Sequence, residues 1–298
     1  MTDIETNIPA VKYTAGHMEL RPGVPVYVRI YEPVNFTKTV LCMHGAAGSS
    51  ADFDELAKAL AADGYRVLSY DRPGFGRSPL PESILKNFVL ANLGILQAFM
   101  TAPGGVDAVI CSSGGAAIFH AFCARVAPKL GLKTPLLVYS EPGFEMNDEV
   151  KGSIQSRLAF MAGRYATFEE ARTAWLACGW DDVAFKNDAI RDEFLKNRLI
   201  KIDQYYRPAV HEKLLSALRN VTPAQSVDAL RVQADFQGLV LLMHAAERES
   251  HHQARLADLK PSYPHIHLHS VAGSAHPLSL TTVKEISIIR DFLNRGAA

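Results

Sequence analysis

Two adjacent serines, Ser112 and Ser113, close the short apolar run Val109-Ile110-Cys111 and are followed by Gly114-Gly115-Ala116. A buried strand that breaks at once into a helix forms a nucleophile elbow. The sharp turn lifts one hydroxyl above the sheet edge, and the helix N-terminus behind it offers free N–H groups to a developing oxyanion. The same residues also suit a glycine-rich helix start with serine caps. Three other segments bear on the choice. His44-Gly45 follows the buried run Thr39 to Met43, where a second oxyanion N–H would be supplied. Asp71-Arg72-Pro73-Gly74-Phe75-Gly76-Arg77-Ser78 is a long, specific turn string. Gly273-Ser274-Ala275-His276 places a histidine in a loop of small residues near the end of the chain. The order along the sequence is nucleophile, helical segment, acid candidate, histidine.

The elements needed to hold these residues are visible as patterning. Val26 to Tyr31, Thr39 to Met43, Tyr65 to Tyr70, Ala108 to Cys111 and Leu136 to Tyr139 read as strands. Asp52 to Asp63, Ser83 to Met100 and Gly114 to Val126 read as helices between them. Alternation of this kind predicts an α/β fold with a mostly parallel, doubly wound sheet covered on both faces. After Pro142-Gly143 the pattern turns helical: Val150 to Arg164, Phe168 to Cys178, Asp182 to Lys201 and Ile202 to Arg219. Strands return at Leu239 to Met243 and His265 to Val271, with a last amphipathic helix over Thr282 to Leu293. The expected division is a core of 1–144 and 236–298 carrying an inserted helical cap, or lid, of 145–235. Trp175, Trp180, Tyr205 and Tyr206 are expected mainly in the core of that cap.

Composition narrows the function. The chain has 298 residues, 48% of them apolar, with 31 basic against 31 acidic side chains. A large core needs no staples at this length. Zero net charge leaves no overall basic field for nucleic acid or an anionic membrane. No apolar run approaches the roughly 18 residues of a membrane span, and the first residues show no secretory pattern. Cys42, Cys111, Cys123 and Cys178 form no CxxC pair, so a reduced, cytoplasmic setting is expected. No GxGxxG or GxxxxGK[ST] string supports a nucleotide cofactor. The expected partner is a small-molecule substrate, without cofactor, metal, nucleic acid or membrane; a homodimer is allowed.

These segments resemble the α/β-hydrolase superfamily, and most closely its lid-bearing members with a DRPGxGxS turn and an elbow of the form AVxGxSGGG. The resemblance covers about 41 to 125 and 236 to 293. It implies a catalytic triad with an oxyanion hole. The family pattern is small-x-nucleophile-x-small. With Ser113 as nucleophile the flanking small residues are Cys111 and Gly115; with Ser112 the first would be the β-branched Ile110. Sterics favour Ser113, while Ser112 keeps the SxGG spacing, and Cys111 itself is a remote alternative. His276 is the general base the resemblance implies. The family usually places its acid after the seventh strand, where this chain reads His244-Ala245-Ala246-Glu247-Arg248-Glu249. Glu247 is the first choice and Glu249 the next. Glu141 is the alternative, because some members place the acid after the sixth strand. Backbone N–H groups of Ala46 and Gly114 would form the oxyanion hole.

The remaining candidates are structural or weak. Asp71 and Arg72 are expected to hold their turn, and His120 to be structural. His265, His267 and His269 alternate along one strand face but lack the carboxylates of a hydrolytic metal centre. The expected activity is a serine hydrolase cleaving a small, fairly apolar carboxylic ester, thioester or lactone through an acyl-enzyme. The alternatives on the same fold are a C–C bond hydrolase or cofactor-free oxygenase, and a ligand-binding homologue without turnover.

Overall fold

The centre of the sheet is built from runs that are apolar on both faces. A computed structural model of the chain describes residues 11–46, 48–132, 135–141, 148–219, 238–246, 265–274 and 277–296. In β3 (Lys38–Met43), Leu41 and Met43 face one side and Val40 and Cys42 the other, all wholly buried. β5 (Ala108–Ser112), β6 (Leu136–Ser140) and β9 (Val240–Ala245) repeat this pattern, as expected for strands covered by helices on both sides. With β1 (Val11–Arg21), β2 (Val24–Pro33), β4 (Tyr65–Tyr70) and β10 (Ile266–Val271) they form an eight-stranded sheet ordered β1-β2-β4-β3-β5-β6-β9-β10. The six strands from β4 to β10 in that order run parallel, and β1 and β2 are antiparallel. The expected α/β class, with a mostly parallel sheet and helices on both faces, is the one observed.

Each face has its own core. Phe119, Phe122 and Cys123 of α4 (Gly114–Arg125), with Leu93 and Leu96 of α3 (Phe88–Met100), cover one face. Leu56 and Leu60 of α1 (Asp54–Ala62), with Ile289, Phe292 and Leu293 of the C-terminal helix Val283–Arg295, cover the other. Thr282 caps that last helix: its side chain accepts from Glu285 N, and Glu285 returns the contact. A short helix, α2 (Glu82–Leu85), precedes α3, so the expected helix over Ser83 to Met100 is broken at Lys86-Asn87. All four cysteines are buried and none is in a disulfide. Among the described residues no helix is long and apolar enough to cross a membrane.

Two strand pairs depart from the sequence reading. β1 was not expected at all: most of its residues are exposed, so no buried stripe marks it, and only Pro22-Gly23 signals the turn into β2. The second pair lies between β6 and β9, among the helices α6 (Asp148–Met161), α7 (Phe168–Trp175), α8 (Asp188–Lys196) and α9 (Glu212–Arg219); α5 (Ala127–Leu130) follows α4, ahead of β6. There, the segment read as continuous helix from Asp182 to Lys201 and from Ile202 to Arg219 contains a hairpin, β7 (Leu199–Ile202) and β8 (Tyr205–Pro208). Alternation in Leu-Ile-Lys-Ile and a turn at Asp203, whose φ is 50°, favour the hairpin over a helix.

The segment 148–219 has its own apolar cluster, in which Trp175 and Trp180 stack at 4.8 Å beside Phe194, Leu158 and Met161. Phe75, from the 71–78 turn of the sheet body, completes it. Backbone bonds tie the two together: Gly76 N donates to Ala209 O at 2.7 Å and His211 N to Gly74 O at 2.8 Å. The segment is thus held against the end of the sheet where β3 and β4 finish.

Candidate functional site

The strand order places a crevice between β3 and β5. From β3 the chain leaves to one side, through α1 to β4, and it returns to the other side at β5, so the loops after β3 and β5 part. Ligands of open α/β sheets bind at such switch points, beyond the carboxyl ends of the strands. The register aligns those ends: Met43 pairs with Cys111, Ser112 with Ser140, and Ser140 with Met243. Gly45, Ser113 and Glu141 therefore emerge close together from neighbouring strands.

Ser112 is the last residue of β5, and Ser113 is the bend. Its backbone has φ 44° and ψ −118°, a conformation that costs an L residue about 1–3 kcal/mol. Ser113 N donates to Ser140 O at 2.9 Å, and Ser113 O accepts from Ala116 N at 2.9 Å, which starts α4. Glycines permit the close crossing. A Cβ on Gly115 would lie 2.7 Å from Met43 O and 2.8 Å from His44 O, and one on Gly45 would lie 3.0 Å from Ser113 Cβ. On Gly114 the nearest atom would be Ala46 N, at an ordinary 3.5 Å. Ala46 and Gly114 are thus neighbours, and among the described residues neither N–H has a protein acceptor. Gly115→Ala should therefore destabilise the fold by about 1–3 kcal/mol through backbone overlap, whereas Gly114→Ala should melt with wild type. Equal melting temperatures for the two variants would contradict this packing.

The chain after β3 is fixed from behind at His44, Gly45 and Ser50. His44 is wholly buried; its Nε2 accepts from Arg72 N at 2.9 Å, so its proton sits on Nδ1 and points to Gly45 O at 2.7 Å. Burial, and then the Arg72 charge, push its pKa well below the usual histidine value, so the ring stays neutral. Arg72 Nη2 donates to Gly45 O at 2.8 Å, and its guanidinium lies over Phe75. Burial lowers its pKa only to about 10, which leaves it charged at neutral pH. The Asp71 carboxylate accepts from Ser50 N at 2.6 Å and Arg77 N at 2.7 Å. Asp71 and Arg72 thus hold the two loops to each other, the structural part the sequence reading gave them.

Glu141 stands one residue beyond Ser140. It is wholly buried, with φ 51°. Its N–H donates to Met243 O at 2.8 Å, and its Oε1 accepts a short bond from Ala245 N at the end of β9. Burial lowers the pKa of the adjacent His244, and the Glu141 charge opposes that shift. Glu247, Glu249 and His276 lie outside the described residues. Of the other histidines, His120 is pushed down to about 4 by burial, so it is neutral, and His267 and His269 are exposed on β10. Sequence reasoning missed a buried ion pair at the same end of the sheet, Arg198 with Asp52. The partners are 146 positions apart, and no local pattern links them.

A family model described as alpha/beta hydrolase family matches residues 40–285. The chain belongs to the alpha/beta hydrolase family. Solved alpha/beta hydrolase structures share its fold over nearly the whole length. One from Novosphingobium aromaticivorans is 19% identical, with TM-score 0.74, covering 96% of this chain and 99% of that one. E-2-(acetamidomethylene)succinate hydrolase is 18% identical, with TM-score 0.71, covering 95% and 100%. An esterase from Mycobacterium tuberculosis is 15% identical, with TM-score 0.64, covering 96% and 92%. Identities this low establish the fold, and the family match makes the chain a hydrolase by family.

Proposed function

We propose that this alpha/beta hydrolase is a serine hydrolase acting on a small, fairly apolar carboxylic ester, thioester or lactone. The observation that carries the reading is the strained bend at Ser113, set between β5 and α4 beside two N–H groups without acceptors among the described residues. Strain of this kind is kept where a group must be presented.

Ser113 Oγ attacks the carbonyl carbon, and His276 takes its proton as general base. The tetrahedral oxyanion accepts hydrogen bonds from Ala46 N and Gly114 N, donors already aimed before the charge develops. Collapse expels the alcohol or thiol, protonated by His276, and leaves the acyl group on Ser113. Water then attacks that ester with the same base and the same hole. Glu141, the alternative acid of the sequence reading, orients His276 in this proposal: it is buried, backbone-anchored, and one strand away from Ser113. The segment 148–219 acts as a cap, and its apolar cluster favours an apolar group on the substrate.

The test is turnover of p-nitrophenyl acetate and butyrate, together with fluorophosphonate labelling mapped by mass spectrometry. Ester hydrolysis with the adduct on Ser113 is expected. Folded protein that neither turns over esters nor takes the label would remove the reading.

A further inference from the structure

The buried pair between Arg198 and Asp52 joins the segment 148–219 to the loop that carries Ala46. Arg198 follows α8, and its backbone oxygen accepts from Ala209 N at 2.7 Å. Its Nε and Nη2 bond the two Asp52 oxygens at 3.0 and 2.5 Å, both side chains being buried. The guanidinium also lies 3.9 Å over Phe194 and 4.5 Å over Trp180, so its orientation is fixed by the aromatic cluster. On the other side, Asp52 Oδ2 accepts from Ser49 N at 3.2 Å, and Asp52 N donates to Ser49 O at 3.1 Å. Ser49 lies three residues beyond Ala46, and the next residue, Ser50, is held by Asp71.

A buried ion pair is a poor way to gain stability, because apolar residues of similar volume serve as well or better. What a bidentate arginine–carboxylate pair does supply is direction. Here the direction runs from the aromatic cluster through Arg198 and Asp52 to the backbone of Ser49. The loop so held carries the Ala46 N–H beside Gly114.

We propose that Arg198 and Asp52 are positioning residues for the reaction, through which the 148–219 segment sets the oxyanion loop as well as covering the site. This rests on the serine-hydrolase reading above. Displacement of a catalytic donor by about 1 Å can cost about 100-fold in rate, so loosening Ser49 acts on the transition state more than on substrate binding.

Three variants test it: Arg198→Met, Arg198→Lys, and Asp52→Leu combined with Arg198→Met. Each is measured for kcat and KM with p-nitrophenyl acetate, for the rate of fluorophosphonate labelling at Ser113, and for melting temperature. Arg198→Met should lower kcat and labelling together by about 10- to 100-fold, with KM little changed. Arg198→Lys, which keeps the charge and loses the bidentate geometry, should fall between it and wild type. The double variant removes both charges, so its melting temperature should recover toward wild type while kcat stays low. Recovery of kcat together with melting temperature would reduce the pair to a stability element and overturn the proposal. So would wild-type labelling rates in folded Arg198→Met. Absence of an adduct on either Ser113 or Ser112 in wild type is a different failure: it removes the serine reading and this proposal with it.

Discussion

Ser113→Ala should abolish ester turnover, a loss of about 10⁴-fold or more as for other serine nucleophiles, while Ser112→Ala should keep most of it. The two hydroxyls are adjacent in sequence and differ in backbone. Ser112 completes the β5–β6 ladder opposite Ser140, and Ser113 alone takes the positive-φ bend into α4. Alanine removes the Ser113 hydroxyl without touching the bend, so the variant should melt with wild type. Ser113→Gly should melt slightly higher, since glycine accepts φ of 44° without a Cβ penalty, and it should be equally inactive. The Cys111 thiol offers no substitute: burial, and then the neighbouring Cys123 and Cys42, push its pKa well above the usual thiol value. kcat/KM with p-nitrophenyl butyrate, paired with thermal melts, decides the matter. An active Ser113→Ala beside a dead Ser112→Ala would move the nucleophile by one residue.

The elbow was legible in sequence because its cause is local. A short apolar strand, two serines and two glycines suffice to place a tight crossing, and Gly115 is required by backbone oxygens only 2.7 and 2.8 Å from where its Cβ would stand. The choice between the serines was not legible in the same way, since small-residue spacing favoured one serine and SxGG spacing the other. The parallel strands were legible as apolar runs, whereas β1 was not, because an edge strand with mostly exposed residues carries no burial pattern. The hairpin β7–β8 was masked by flanking segments with helical spacing and by a turn, Asp203-Gln204, that lacks glycine. Asp52 illustrates the deeper limit. In sequence it reads as the start of a helix; its carboxylate is turned to Ser49 and to an arginine from another part of the chain. Contacts of that range leave no trace in composition or period.

Glu141→Gln should lower kcat by about 10³- to 10⁴-fold, the scale seen when the acid of a serine triad becomes its amide, with KM little changed. The amide keeps an oxygen for Ala245 N, so the short bond that ties the end of β6 to β9 survives and the variant should fold. In the proposed triad, what it loses is the negative charge that would fix the histidine tautomer and favour the imidazolium as Ser113 gives up its proton. Glu141→Ala would add a second effect, an unsatisfied Ala245 N–H in a buried position, and is expected to melt lower than Glu141→Gln. Glu247→Gln and Glu249→Gln serve as the comparison. The spacing of the sequence favours them, since they follow the strand that usually carries the acid, but Glu141 has a backbone constraint that points the same way as its chemistry. A glutamate wholly removed from water, at φ 51°, with its N–H bonded to Met243 O and its carboxylate to Ala245 N, is placed there at a cost in strain and desolvation. If Glu247→Gln or Glu249→Gln loses activity on this scale while Glu141→Gln retains it, the acid belongs after β9 and the strain at Glu141 serves the sheet edge alone.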